Sequence, residues 1–191
     1  MPTYHAYAAP SAKAPLEPFT FDPGPLGPEE VEIEVSYCGV CHSDLSMLNN
    51  DWGMSKYPFV PGHEVTGTVL ALGEQAKGLK IGQRVGLGWW SQSCLSCHEC
   101  LSGDHHLCSF VQGTIFGRHG GFADRVRAQW TWVRADSRGT RHGQIWTSAV
   151  RRGHRVRAPR HKQGPAHRAG WHRWDRRLGP HGPAIREQMG L

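Results

Sequence analysis

Long apolar runs are missing from these 191 residues. No stretch approaches the roughly 20 consecutive apolar residues that a membrane-spanning helix needs, which excludes a helical membrane protein. The opening MPTYHAYAAPSAKAPLEPF has neither a charged start nor an apolar segment. No secretory signal is visible, and the expected compartment is the cytoplasm. Cysteine is confined, since all six residues precede position 109. Acidic residues are scarce at one end: residues 134–191 hold 3 Asp and Glu against 14 Lys and Arg, a net of +11. Lysine is scarcer there still, with Lys162 alone among 13 arginines. Residues 1–133 hold 13 acidic and 8 basic residues, a net of −5. The overall charge of +6 therefore hides two compositions joined near residue 133. A hydrophobic content of 38% suffices for one core, in a chain long enough for one domain or two small ones.

What is present is concentrated in SCLSCHECLSGDHHLC, which carries Cys94, Cys97, Cys100 and Cys108. Gaps of two, two and seven residues bring four thiolates within reach of one tetrahedral ion. Zinc accepts four sulfur ligands where its role is structural, and a closed shell leaves no position for a substrate. Two disulfides are the first competing reading, disfavoured because cytosolic thiols stay reduced. An iron–sulfur cluster is the second.

The first 133 residues read as β-rich. Val31, Ile33 and Val35 alternate with Glu30, Glu32 and Glu34, the pattern of a strand with one wet face. VTGTVLAL at 65–72, RVGLGWW at 84–90 and GGFADRVRA at 120–128 read as further strands. PGPLGP at 23–28 reads as a loop, and CHSDLSML at 41–48 as the one clear short helix. Many short strands with glycine-bearing turns argue a small barrel. Two segments, YCGVCHSD at 37–44 and YPFVPGHEVTG at 57–67, bring Cys41, His63 and Glu64 as candidate metal ligands. Three protein ligands and an open position are what a catalytic zinc requires. Each residue also has a plainer reading: a cysteine as a small buried hydrophobe, which is the reading for Cys38, and a histidine as a hydrogen-bonded structural group.

GVCHSD, VPGHEVTG and the four-cysteine loop, in that order, resemble the zinc-dependent medium-chain alcohol dehydrogenases. AYAAPSAKAPLEPF and GLGWWSQSC are similar to the branch of cinnamyl-alcohol dehydrogenases and NADP-dependent aldehyde reductases. The resemblance covers residues 1–133. It implies a GroES-like barrel with a structural zinc loop, which in this family packs against a Rossmann domain. It implies hydride transfer between NADP(H) and a primary alcohol or aldehyde, with zinc as Lewis acid. Cys41 and His63 would hold the catalytic zinc, and Glu64 would be a carboxylate able to exchange onto it. Ser43 would hydrogen-bond the substrate oxygen and pass its proton outward, and His42 would lie near the cofactor phosphates. Asp44 would orient a metal ligand. Trp52 and Trp90 would line the substrate pocket or belong to the core. Ser46 stands where this branch often has a histidine in the proton relay, and serine does not titrate near neutrality.

The resemblance stops after TWV at 131–133. No Gly-x-Gly-x-x-Gly follows a strand in residues 134–191, so the Rossmann domain is expected to be absent. The segment lacks apolar periodicity, and disorder is expected. Its Arg, Gly, Pro and Ala come from codons rich in G and C, which points to a slipped reading frame. Read one nucleotide out of register, Trp171 before His172 forces Gly, Trp174 before Asp175 forces Gly, and Met189 before Gly190 forces Trp. Residues 171–190 can then return GIGGIGGLGHMALQFANKWG, similar to the family's glycine-rich turn. A third ligand cysteine would fall at the codons of Val150 and Arg151. The expected protein is therefore a truncated dehydrogenase, catalytically impaired, its structural zinc kept and its catalytic zinc weakened for want of that third thiolate, with a small-molecule alcohol or aldehyde as its partner. The competing reading is a zinc module with a basic nucleic-acid-binding arm. That arm would bind phosphates through its arginines and stack bases on Trp146, Trp171 and Trp174. The forced codons argue against it.

Overall fold

The computed structural model describes residues 3–136 and the backbone of residues 171–173. The chain opens with a hairpin of β1 (Tyr4–Ala8) and β2 (Glu17–Phe21), which pair antiparallel. The ten-residue β3 (Glu30–Gly39) is the spine of the main sheet. It pairs with β4 (Glu64–Leu72), β4 with β5 (Arg84–Leu87), and β5 with β9 (Arg134–Ala135), each antiparallel. The other edge of β3 takes β8 (Arg125–Gln129) along Glu30–Glu34 and β10 (Trp171–Arg173) along Tyr37–Gly39. Register shifts between β3 and β4, at Glu32/Ile33 and Val35/Tyr37, are the irregularities that bend a strand and let a sheet curl. Gly67 lets β4 approach closely, because a Cβ there would lie 2.1 Å from the Glu34 carbonyl oxygen. β6 (Trp90–Gln92) and β7 (Gln112–Gly113) form a second two-stranded pair. Two α-helices, α1 (His42–Asn49) and α2 (His98–Leu101), and two short 3-10 turns, His105–Leu107 and Trp130–Trp132, complete the description.

The core lies between the sheet and the hairpin. Val31, Ile33, Val65, Val69, Val85 and Leu87 are buried there. Bridges at Ala6–Ala123 and Ala9–Phe59 tie the hairpin down. Alternation along β3 holds for its apolar residues. Its polar face is not uniformly wet, because Glu32 is buried. Arg125 and Arg127 cover it, at 3.1 and 3.0 Å. Arg127 also donates to the Tyr4 hydroxyl and to the carbonyls of Pro23, Gly24 and Pro25. The buried guanidinium thus closes the 23–28 loop onto the sheet. Neighbouring arginines explain the inversion: an acidic residue can go inside when its charge is matched there.

Two expected strands are shorter than their patterns suggest. The 84–90 run breaks after Leu87 and resumes as β6, and the 120–128 run is a strand only from Arg125. Residues 120–122 are instead held by backbone bonds to Val60, Pro61 and Gly62. Of residues 134–191, only β9, Asp136 and the β10 backbone are described. The readings of Trp146, Val150, Arg151, Trp174 and Met189, and of disorder over the rest of that segment, lie outside the described residues. The sequence pattern held no sign of β10.

Candidate metal centres

The first centre is built at the junction of β3 and α1. Gly39 ends the strand, and Cys41 is the residue before helix α1, in extended conformation (φ −119°, ψ 151°). Asp44, one turn in, accepts the Cys41 backbone N–H through Oδ2 at 3.2 Å. A carboxylate in a first helical turn also suits the N-terminal dipole. At the far end Tyr57 donates to the Leu48 carbonyl at 2.7 Å, satisfying one of the last free acceptors of α1. The helix is therefore fixed at both ends, and Asp44 is fully buried.

His63 arrives from the other direction, one residue before β4. Gly62 makes the turn at φ +103°, where a Cβ would lie 2.8 Å from both the Cys38 sulfur and the Phe122 amide nitrogen. Asp44 Oδ1 accepts the Gly62 N–H at 2.8 Å and faces His63 Nδ1 at 2.9 Å. With Nδ1 engaged by a carboxylate, Nε2 is the nitrogen left to act as a ligand. Ligand atoms of Cys41, His63 and Glu64 lie within 4.8 Å of one another. Hydrogen bonding from His63 lowers the Cys41 thiol, and Ser43 adds to this, against the opposing effect of burial. Burial disfavours charge on His63, but Asp44 and Cys41 outweigh it and raise the imidazole to about 10. Thiolate is the form of cysteine that binds metal, so the donor set suits a borderline cation such as zinc.

An aromatic wall stands beside this centre. Trp89 meets the His63 ring edge-on at 4.5 Å and Phe116 at 5.1 Å. Trp52 packs against Trp89 at 6.1 Å and is 46% exposed. Trp90 stacks with Phe116 at 6.4 Å, farther along. The sequence reading singled out Trp52 and Trp90 and missed Trp89. Its neighbour on the next face of the chain could have been separated from it only by locating the break at Gly88. His42 is exposed on the first turn of α1, Ser43 is half-buried, and Ser46 is buried. Cys38 is buried, with its thiol raised by desolvation, and donates to its own strand at Gly39 O.

The second centre is a separate lobe. Cys94, Cys97, Cys100 and Cys108 place their sulfurs within 4.8 Å of one another, and all are free thiols. Cys94 lies 3.5 Å from Cys108 and 3.9 Å from Cys100. Four sulfurs at 2.3 Å from one ion stand about 3.8 Å apart at the corners of a tetrahedron, so the spacing fits zinc. Backbone N–H groups of Ser96 and Cys97 hold the Cys94 thiol down to about 6. Cys97 receives the Cys100 N–H, yet burial, the Glu99 carboxylate and the neighbouring sulfurs push it up to about 12. Crowded like charges of this kind are what a cation relieves. The lobe is anchored at its base, where Gln129 accepts the Ser93 N–H and Trp132 donates to the Ser93 hydroxyl.

Residues 27–135 match the family model described as the alcohol dehydrogenase GroES-like domain. Aldehyde reductase AdhA of Synechocystis is 62% identical over 124 residues, covering 65% of this chain and 37% of that protein. A probable cinnamyl alcohol dehydrogenase 6 of Oryza sativa is 42% identical over 115 residues, covering 60% of this chain and 32% of its own length. The chain thus spans about a third of the length of the curated relatives it matches. Among solved structures, a cinnamyl alcohol dehydrogenase of Sorghum bicolor superposes with a TM-score of 0.66 at 34% identity, over 71% of this chain and 41% of that one. CAD from Helicobacter pylori complexed with NADP(H) superposes with a TM-score of 0.71 at 26% identity, over 75% of this chain and 44% of that one.

Proposed function

Because this chain belongs to the family of alcohol dehydrogenase GroES-like domains, we propose that it carries the metal-bearing half of a zinc-dependent oxidoreductase. The reaction is hydride transfer between NADP(H) and primary alcohols or aldehydes, as the names of its relatives suggest. The observation that carries the reading is the convergence of Cys41, His63 and Glu64, with Asp44 behind His63 and Trp89 beside it. Bound there, zinc would supply a Lewis acid for the substrate oxygen, while NADP(H) would supply the hydride.

The remaining roles belong to the chain. Cys41 and His63 hold the ion, and Glu64 offers the third donor. Asp44 fixes the imidazole so that Nε2 faces the site. Ser43, whose hydroxyl lies beside the Cys41 sulfur, hydrogen-bonds the substrate oxygen and carries its proton. Ser46 passes that proton only through water. His42, exposed on the first helical turn, faces the cofactor phosphates. Trp89, Trp52 and Phe116 form an apolar wall that keeps water from the reacting carbon. Cys94, Cys97, Cys100 and Cys108 hold a structural zinc. The protein acts in the cytoplasm on a small molecule. No helix among the described residues is long and apolar enough to cross a membrane.

The sequence has no glycine-rich dinucleotide turn, so the 191-residue chain alone reduces little aldehyde. Cobalt(II) loaded into the purified chain tests both halves of the reading. An aromatic aldehyde should perturb the cobalt absorption bands, and NADPH consumption should stay at background. An unperturbed spectrum contradicts the substrate site. Robust NADPH-dependent turnover contradicts the restriction to the metal-bearing half.

A further inference from the structure

The four-cysteine lobe holds more reactivity than a structural clamp uses. Its first and last cysteines, Cys94 and Cys108, are 14 positions apart in sequence, yet their sulfurs are 3.5 Å apart. That is shorter than the 3.9 Å between Cys94 and Cys100. The four sulfurs differ in access: Cys100 and Cys108 are buried, whereas Cys94 and Cys97 are half-exposed. Cys94 is thus a sulfur that a small oxidant reaches while Cys108, 3.5 Å away, stays shielded. The Cys97 backbone N–H points at Cys94 Sγ at 3.3 Å and fixes where that sulfur sits. A bond between Cys94 and Cys108 needs the sulfurs to close to about 2.05 Å, a small movement. It would join the two ends of the lobe and keep its base shut after the ion leaves. Joining Cys97 to Cys100 would tie only one helical turn of α2 to its own start and leave the lobe open.

We propose that Cys94 and Cys108 form a peroxide-sensitive pair whose oxidation to a disulfide releases the metal from this lobe. The Cys94 sulfur attacks a hydroperoxide, an S–O bond forms, the O–O bond breaks, and the oxygen left over departs as water (or as an alcohol from an alkyl peroxide). Cys108 sulfur then attacks Cys94 sulfur, the S–S bond forms, the S–O bond breaks, and a second water leaves. Two thiolates lose two electrons to one peroxide, and two protons come from solvent. Only Cys97 and Cys100 then remain as donors, too few to retain zinc. A dithiol reductant and free zinc reverse the change.

This inference rests on the reading of the four cysteines as zinc ligands, and the experiment separates the two. Zinc in the full chain is counted first. The chain then receives hydrogen peroxide in near-stoichiometric amount, with zinc release followed by a chromogenic chelator. Free thiols are alkylated and disulfide-linked peptides are identified by mass spectrometry. The expected result is loss of one zinc per chain in step with a Cys94–Cys108 peptide as the dominant cross-link, both reversed by dithiothreitol and zinc. Zinc release with another pair dominant, or with oxyacids and no disulfide, overturns the pairing while leaving the zinc reading intact. Zinc retained with thiols unchanged overturns the sensitivity. A chain isolated without zinc in this lobe, and unable to take it up, overturns the zinc reading and the inference with it.

Discussion

Asp44 joins three groups with one side chain: the Cys41 N–H, the Gly62 N–H and the His63 ring nitrogen. Each belongs to a segment that supplies a candidate metal ligand. Replacing it with Asn keeps the shape but puts an NH2 where an acceptor is needed, so one buried N–H loses its partner. Asp44→Asn should weaken zinc at the Cys41–His63 centre by about 10- to 100-fold, read by chelator competition, with the four-cysteine site unmoved. The sequence reading could place Asp44 on the helix face near Cys41 by spacing. That the same carboxylate reaches Gly62 and His63 needs the crossing of two distant segments, which no local pattern encodes. His119 gives a second prediction. It lies against Phe19 and Phe21, at 5.5 and 4.4 Å, and burial lowers its pKa. An unfolded histidine takes a proton near pH 6.5, whereas the folded one resists until lower pH. The unfolded chain then binds more protons in that window, so stability falls as pH drops below about 6.5. The His119→Gln variant should show a flatter dependence of urea midpoint on pH between the ordinary and the lowered value, compared with the unaltered chain.

At the scale of elements, β3 shows which parts of the fold were legible. Its valine and isoleucine alternation reads directly as a buried face, and the structure bears this out. The glutamates on the other face read as wet. Glu32 is nevertheless inside, because its partners Arg125 and Arg127 stand more than 90 residues away. The β1–β2 hairpin went unread for a different reason: its strands are only five residues each, and prolines punctuate the connection between them. Helix α2, four residues long, is below the length at which periodicity is visible. The buried arginine makes its own prediction. Arg127→Met leaves Glu32 without one of its two cations and the carbonyls of residues 23–25 without their donor. Breaking a buried pair from one side costs about 3–5 kcal/mol, so the urea midpoint should fall accordingly with zinc content unchanged.

At the scale of the whole molecule, the break in composition near residue 133 falls close to the last residues of the continuously described segment, which ends at Asp136. Just past the break, Arg134 and Ala135 of β9 pair with β5, and Arg84 pairs with Asp136. Charge bookkeeping sees this boundary because acidic and basic residues change abundance there. It cannot see which residues of a basic segment find a strand edge, as Trp171–Arg173 do along β3. The proposed function gives this small β domain two candidate metal centres, one closed by four thiolates and one open, with Cys41, His63 and Glu64. Zinc content of the purified full chain and of Cys41→Ser, by elemental analysis after removal of loose metal, tests it most directly. Two zinc ions are expected in the unaltered chain and one in the variant, the survivor being lost when Cys97→Ser is added. Equal zinc in the unaltered chain and in Cys41→Ser would contradict it.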